Sequence, residues 1–257
     1  MLQKIITVKA HRYTPAGIEP ADLSVSAEYN VTLLLNGRPC LSVACSGSDL
    51  DMLAAGHLLS EGIILSKDEI DRIEVNEERM TVNVIFAAGT DVFGRLIKIR
   101  TLVSGCAGSG SGPDGGKPAS GELPFLNPAV IVSSMKEFLG LSEMYRLTHG
   151  VHSAALYDIL GKRLAFYDEI GRHNAVDKLL GFALTYGVAM GQAMLLSTGR
   201  ISSEIVLKAS AAGIPAIVTR AAPTSMAVEL VRKLNIILIT GVKKDAFFIH
   251  HGAEYIR

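Results

Sequence analysis

Three groups of residues in this chain have the types and spacing for chemistry. The first is Asp168 to Leu180, DEIGRHNAVDKLL, which sets Asp168, Glu169, Arg172, His173, Asn174, Asp177 and Lys178 beside an apolar stripe of Val176, Leu179, Leu180 and Ala183. Gly171 precedes Arg172, so the run reads as a loop turning into a helix. His173 and Asp177 then share a helix face, as do Asn174 and Lys178. Acids, bases and amides at a helix N-terminus suit an anion or a nucleotide, because free backbone N–H groups point out there. The same residues describe equally well a capped surface helix laced with ion pairs. The second group is Cys106, which follows the strand-like Arg95–Val103 and sits between Gly105 and Ala107. So little bulk around a thiol lets a second molecule reach the sulfur, which as thiolate is a nucleophile; the bland reading is a stray surface cysteine. The third group is a set of turns, Thr198-Gly199-Arg200, Thr219-Arg220 and Gly241-Val242-Lys243-Lys244. Each follows a short apolar run, and hydroxyls, glycines and cations recur in them as a phosphorylated ligand would require.

The hydrophobic pattern supplies the elements that must position these groups. Met194–Ser197, Pro215–Thr219 and Ile236–Thr240 read as short strands, and they alternate with helices from Ser202 or Ser203 to Ala212 and from Ser225 to Leu234. That alternation predicts an α/β layer with mostly parallel central strands. Ligands of such sheets lie beyond the carboxyl ends of the strands, where the three turns fall. Phe247–His250 reads as an edge strand. Asn127-Pro128 opens a helix, Asn capping and Pro in the first position, with Val130, Met135, Phe138 and Leu139 toward the core. Ser153–Tyr157 and Arg163–Tyr167 form a hairpin around Gly161 and deliver the chain to Asp168. His149 and His152 bracket a Gly-Val just before that hairpin. The helix after Gly171 runs from Arg172 to Tyr186.

The N-terminal part is richer in strands. Tyr29–Leu35 and Cys40–Cys45 form a hairpin around Asn36-Gly37, a strong type I′ signal, with Pro39 just ahead of the second arm. Ser48, with Asp51 three residues on, reads as the cap of a helix ending near Gly62. His57 on that helix reads as a core histidine. Ile70–Val75 and Met80–Phe86 are two further strands, and residues 1–22 a lead-in with one strand at Ile5–Lys9. From Ser104 to Pro124 the text SGCAGSGSGPDGGKPASGELP loses all apolar periodicity, which predicts a flexible loop or linker. The expected organisation is a β-rich part over 1–103, a Cys-bearing loop over 104–124 and an α/β part over 125–257. Gly116-Lys117 is no phosphate-binding loop, because the pattern needs Gly at 111 and Ser or Thr at 118 where the chain has Ser111 and Pro118.

Composition narrows the function. The 257 residues are 49% hydrophobic and 19% charged, with a formal net charge of zero. Nothing in that balance suggests a nucleic-acid or membrane-surface partner. No apolar run is long enough to span a bilayer, and the N-terminus lacks the plan of a signal peptide, so a cytoplasmic protein is expected. The three cysteines Cys40, Cys45 and Cys106 do not make a disulfide scaffold, and no C-x-x-C suggests a metal site. Cys40 and Cys45 fall in a strand pattern and read as inert thiols.

The strings YDEIGRHNAVDKLLG and STGRISSEIVLKASAAGIPAIVTRAAPTSMAVEL, with LAAGHLLSEGII, GCAGSG and THGVHSAAL upstream, resemble the FdhD family from about Ser24 onward. The resemblance implies a cytidine-deaminase-like fold, a mixed sheet flanked by helices with a smaller β-rich N-terminal part. It implies a sulfurtransferase that takes persulfide sulfur from a cysteine desulfurase. The sulfur passes to the bis-guanine-dinucleotide molybdenum cofactor, Mo-bis(molybdopterin guanine dinucleotide), held as a bound substrate on behalf of formate dehydrogenase. The alternative is a non-catalytic chaperone for the same cofactor. Where the family's loop commonly carries C-x-x-C, this chain has Cys106-Ala107-Gly108-Ser109. Single-cysteine transfer through Cys106 is chemically complete, while a dithiol mechanism is not open to Ser109. The resemblance also assigns Val242, Lys243, Lys244, Asp245, Ala246 and Phe247 to the cofactor; Arg172, His173, Arg200 and Arg220 join them from the residue reading. Zinc deaminases carry H-x-E, whereas here His152-Ser153-Ala154 has no carboxylate to shuttle protons. That leaves His152 as a pocket residue or a structural one. A homodimer is expected, and no metal.

Overall fold

The computed structural model describes residues 2–92, 94–96 and 122–257. Cys106, and most of the loop expected over 104–124, lie outside the described residues. The loop's last residues are described, and Leu123 is core, 2% exposed.

The chain opens with a hairpin that the sequence pattern understates. β1 (Ile5–Thr14) and β2 (Gly17–Ser26) pair antiparallel as a sheet of their own. The lead-in is therefore two ten-residue strands rather than one short one; Lys9, Arg12, Asp22 and Glu19 interrupt the apolar run that would have marked them. β3 (Tyr29–Leu35) and β4 (Arg38–Cys45) form the expected hairpin, with Asn36 and Gly37 both at positive φ as a type I′ turn demands. β5 (Ile70–Asn76) and β6 (Thr81–Phe86) complete a four-stranded sheet of order β4-β3-β6-β5. Pro39 lies inside β4, opposite Leu34, where the register shifts.

The larger sheet has six strands in the order β12-β11-β10-β9-β7-β8. β9 (Ala193–Ser197), β10 (Ala216–Thr219) and β11 (Ile237–Lys243) are parallel. β7 (His152–Asp158), β8 (Arg163–Glu169) and β12 (Ala246–His251) join antiparallel. The sheet is thus mixed with a parallel centre, and β12 is an edge strand. Two expected turns are shifted: Gly241 to Lys243 continue β11, and Asp168 and Glu169 end β8.

Alternate side chains of each strand go to opposite layers. Leu156, Leu195, Ile217 and Leu238 face one core cluster, and Tyr157, Met194, Leu196, Val218 and Ile239 the other. The second cluster is covered by α2 (Pro128–Leu141), where Asn127 caps the Ala129 N–H and Met135 and Phe138 are buried, whereas Leu139 is 40% exposed. A short helix, α3 (Glu143–Thr148), follows it. The first cluster is covered by α1 (Leu50–Ser60), α4 (Arg172–Tyr186), α5 (Ser203–Ala211) and α6 (Ser225–Leu234). It also takes in Val31, Leu33, Val82 and Val84 of the four-stranded sheet, so the β-rich part and the α/β part share one core.

Two helix details differ from expectation. The residue ahead of α1 is Asp49, in a left-handed conformation with no side-chain cap; Ser48 instead accepts from Lys178 Nζ at 3.2 Å. The described part of Arg95–Val103, Arg95 and Leu96, is helical rather than extended, and Arg95 is tied to Glu69 at 2.7 Å.

Candidate functional site

The carboxyl edge of the large sheet is knitted into one ridge. Thr219 at the end of β10 has its Oγ1 2.9 Å from the Ser197 carbonyl and 3.0 Å from that of Gly199, and accepts the Ala221 N–H. The Ile201 N–H donates to the Ala222 carbonyl, and the Thr224 N–H to that of Ile201. The Gly241 N–H donates to the Ala221 carbonyl at 3.2 Å. The turns after β9, β10 and β11 are therefore neighbours, as parallel strands with aligned ends require. Gly199 has no room for a side chain: a Cβ there would stand 2.9 Å from Arg172 Cδ.

On the inner side of this ridge is a cavity of about 410 Å³, lined by Arg220, Thr198, His152, Ser153, His149 and Tyr145 among others. Its walls are fixed by hydrogen bonds. Thr198 Oγ1 accepts the Ser153 N–H at 3.0 Å and lies 3.4 Å from His152 Nδ1. Asp168 holds the strand end behind them, accepting from Ser153 Oγ at 2.6 Å and Ser142 Oγ at 2.8 Å. Burial, and then the Arg172 charge, hold the His152 ring below its ordinary pKa. It is a neutral hydrogen-bonding group at pH 7, and the fixed positive charges here are guanidinium groups. Arg172 Nε is buried without a hydrogen-bond partner among the described residues, a cost left standing beside this cavity.

His173 faces a different space, a cavity of about 230 Å³ between α1, α4 and α5. Its Nε2 is 2.9 Å from Glu204 Oε2 and 3.4 Å from Ser202 Oγ. Burial and Arg172 lower its pKa, more than Glu204 raises it. Asp177, one turn on, accepts from Lys208 Nζ at 2.7 Å and Ser60 Oγ at 3.0 Å, with His57 Nδ1 at 3.5 Å. Burial alone would raise its pKa, but Lys208 and His57 outweigh burial and hold the carboxyl below the usual range. Lys178, the next residue, is 0% exposed and ion-paired with the equally buried Glu169 at 2.6 Å. Glu169 also accepts the N–H and hydroxyl of Ser46 and the N–H of Ile170. The DEIGRHNAVDKLL stretch is therefore not a surface helix. Its ion pairs lie in the interior, and they bind α4 to α1, α5 and the end of β4.

Of the residues singled out from the sequence, Arg220 lines the larger cavity, and Arg172 packs across Gly199 close enough to His152 and His173 to lower both pKa values. His173 belongs to the smaller cavity. Arg200 is exposed in the turn after β9. Lys243, Lys244, Asp245 and Ala246 are exposed at the β11–β12 turn, Lys244 at positive φ. Val242 is 3% exposed and Phe247 packs against the same core cluster, so the Val242 side chain cannot reach a ligand. Cys106 lies outside the described residues. Cys45 is fully buried, and burial pushes its thiol up, away from the reactive thiolate; Cys40 is half-buried. The sequence reading placed Thr198 in a ligand-facing turn, and it does line the larger cavity, but that reading gave no role to the Asp177–Lys208–Ser60 network. The network joins residues far apart in the chain, and no spacing rule reaches it. His57, expected amid apolar neighbours, is half-buried with Asp177 as its partner and lines the smaller cavity beside Ser60, Glu61 and Lys208 as well as Val43 and Leu53.

The chain was compared with known proteins. The model of the FdhD/NarQ family matches residues 26–257. A Bacillus subtilis protein named "Sulfur carrier protein FdhD" is 30% identical over 264 residues, covering 100% of both chains. A Staphylococcus aureus protein of the same name is 31% identical over 239 residues, covering 89% of this chain and 88% of its own. A crystal structure from Desulfotalea psychrophila, described as a candidate formate dehydrogenase accessory protein, superposes with a TM-score of 0.83 at 26% identity. It covers 99% of this chain and 100% of its own.

Proposed function

This chain belongs to the FdhD/NarQ family, and from that membership we propose that it is a sulfur carrier in the maturation of formate dehydrogenase, with Cys106 holding the sulfur. The observation that carries this reading is the family match over residues 26–257, joined by a relative named as a sulfur carrier over the full length. In the loading step a cysteine desulfurase presents sulfur as a persulfide. The Cys106 thiolate attacks the outer sulfur, the bond to the desulfurase cysteine breaks, and that cysteine leaves as a thiol. Cys106 then carries the persulfide. Ser109 takes no part, and Cys45 is unsuited because its thiol is buried and pushed up. Such chemistry needs a reducing compartment, the cytoplasm.

The acceptor in this reading is Mo-bis(molybdopterin guanine dinucleotide), bound as substrate. Its phosphates call for cations and hydroxyls on a preformed wall, as Arg220 and Thr198 provide in the larger cavity with Arg172 nearby. Arg200 and the turn of Val242, Lys243, Lys244, Asp245, Ala246 and Phe247 extend the same edge, since Gly241 is bonded to Ala221 beside Arg220. Lys243 and Lys244 offer point charges, Asp245 an acceptor for a guanine edge, and Val242 its backbone. His173 serves from the far side of Arg172, holding the start of α4. Guanosine diphosphate is a soluble fragment of this substrate. Arg220→Ala should weaken its binding by about tenfold or more, the worth of a charge-assisted hydrogen bond. Unchanged affinity in titration calorimetry would remove Arg220 from the site.

The cavity that Arg220 and Thr198 line carries one second reading, a chaperone that holds the cofactor without carrying sulfur. The two readings part at Cys106→Ala. In cells lacking their own carrier, the sulfur-carrier reading predicts no active formate dehydrogenase with this variant; full activation would leave the chaperone.

A further inference from the structure

Among the described residues, six strands lie at the margins of the three sheets: β1 and β2 of the ribbon, β4 and β5 of the four-stranded sheet, and β8 and β12 of the six-stranded one. An edge strand offers unpaired backbone N–H and C=O groups to any second strand, and proteins protect such edges with charged residues or proline. Five of these edges are protected in that way, β1 by Lys9, β2 by Glu19, β4 by Pro39, β5 by Arg72 and β8 by Arg163. The sequence of β12, AFFIHH, has neither charge nor proline, and no strand among the described residues pairs with its outer side. Its side chains alternate between the two faces of the sheet. Phe247 packs on the core cluster under α2, and Ile249 follows on that face, 36% exposed. Phe248, on the other face, is 70% exposed. It lies over Gly241, where an added Cβ would stand 3.1 Å from its ring. The bare edge therefore begins at the ridge of turns beside Arg220, to which Gly241 is bonded through Ala221.

We propose that the outer edge of β12 is where the client formate dehydrogenase docks, laying an extended segment of apolar and acidic residues along it as a seventh strand. The inference rests on the reading of this chain as a carrier in the maturation of that enzyme. Backbone hydrogen bonds fix the register, and Phe248 and Ile249 hold the added strand from its two faces. Charge selects its sequence. Lys243 and Lys244 are exposed where β11 passes to β12, and Arg232 on α6 is close enough to His250 to lower its pKa. Against them stand Asp245 in the same turn and Glu254 beyond Gly252, which leaves the rim positive. Two copies of β12 paired antiparallel would set the Lys243–Lys244 end of one against the Arg232 end of the other, and like charges oppose that pairing. An acidic segment meets no such cost. Its position also suits the handover: the turn proposed to hold the cofactor leads directly into β12, so an enzyme docked there lies beside the edge that the cofactor leaves.

Hydrogen exchange of the full chain, with and without formate dehydrogenase purified from cells lacking the carrier, tests it. The enzyme should slow amide exchange over residues 246–251 and leave β5 unchanged. Phe248→Asp should weaken binding of that enzyme by about tenfold, as truncating an interface aromatic does. Arg232→Glu should slow its association, most strongly at low salt. Val75→Asp, at an exposed position on the protected edge β5, should bind as the wild type does. Guanosine diphosphate titrated into the same samples tells two failures apart. Protection of β12 without nucleotide binding would refute the cofactor site and keep the docking edge. Nucleotide binding with β12 exchanging as in the free chain would refute the docking edge and keep the cofactor site. No association with the enzyme, full affinity in Phe248→Asp, or equal loss in Val75→Asp would overturn the proposal. So would protection of β12 in the chain alone at raised concentration, the mark of a second copy on that edge.

Discussion

His152, His173 and His250 are each held below the ordinary histidine value, in every case first by burial and then by a nearby arginine. Asp177 is likewise held below the usual carboxyl value once Lys208 and His57 outweigh its burial. All four shifts act on stability with one sign. A group whose folded pKa is depressed is protonated more readily in the unfolded chain, so the unfolded state takes up protons first as pH falls. The stability these histidines contribute is present above about pH 6.5 and is lost below it as pH falls through their folded values; Asp177 follows in the same direction at lower pH. The thermal midpoint should therefore drop between pH 7 and pH 5, and His173→Gln should make that drop shallower. A midpoint that rises or holds on acidification would contradict the neutral histidines on which both cavities depend. The composition of the site was legible in the sequence, because acids, bases and amides cluster visibly in DEIGRHNAVDKLL. Their use was not. Spacing says that His173 and Asp177 share a face of α4, and they do line the same cavity. It says nothing of Lys208, Ser60 and Ser46, which decide that Asp177 and Lys178 are spent on buried pairs rather than on a ligand.

At the scale of elements, α1 and α4 approach until backbone meets backbone. A Cβ on Gly56 would collide with the Asp177 carbonyl, and one on Gly181 with the carbonyl of Met52. The two glycines are what let α1 of the β-rich part sit against the helix that opens on Arg172 and His173. Gly181→Ala should force the helices apart and cost about 1–3 kcal/mol, the usual range for overpacking, seen as a lower denaturant midpoint. A variant as stable as the wild type would mean that the helices can separate freely. Elements driven by strong local signals were legible. The Asn36-Gly37 hairpin, the Asn127 cap and the α4 and α6 boundaries all follow the sequence rules. The failures have tertiary causes. Ser48 leaves its capping role because buried Lys178 claims its oxygen. The β1–β2 ribbon was half missed because its apolar residues are broken by charges, an arrangement suited to a strand pair with one covered face. Close approach through Gly56 and Gly181 looks in sequence like two mid-helix glycines with no stated reason.

For the molecule as a whole, one core joins the β-rich part to the α/β part, and the helix N-termini and strand ends meet at the carboxyl edge of the six-stranded sheet. Among the described residues no helix is long and apolar enough to cross a membrane. The mixed sheet flanked by helices was foreseen from strand–helix alternation together with the family resemblance. The sharing of one core was not, because periodicity is local and cannot report which layers touch. The central claim is the proposal that Cys106 alone takes sulfur from a cysteine desulfurase. Intact mass of the protein after incubation with a cysteine desulfurase and cysteine tests it most directly. The account predicts a gain of one sulfur atom, reversed by reductant, absent in Cys106→Ala and retained when Cys40 or Cys45 is replaced. No gain on the wild type, or a gain that persists in Cys106→Ala, would contradict it.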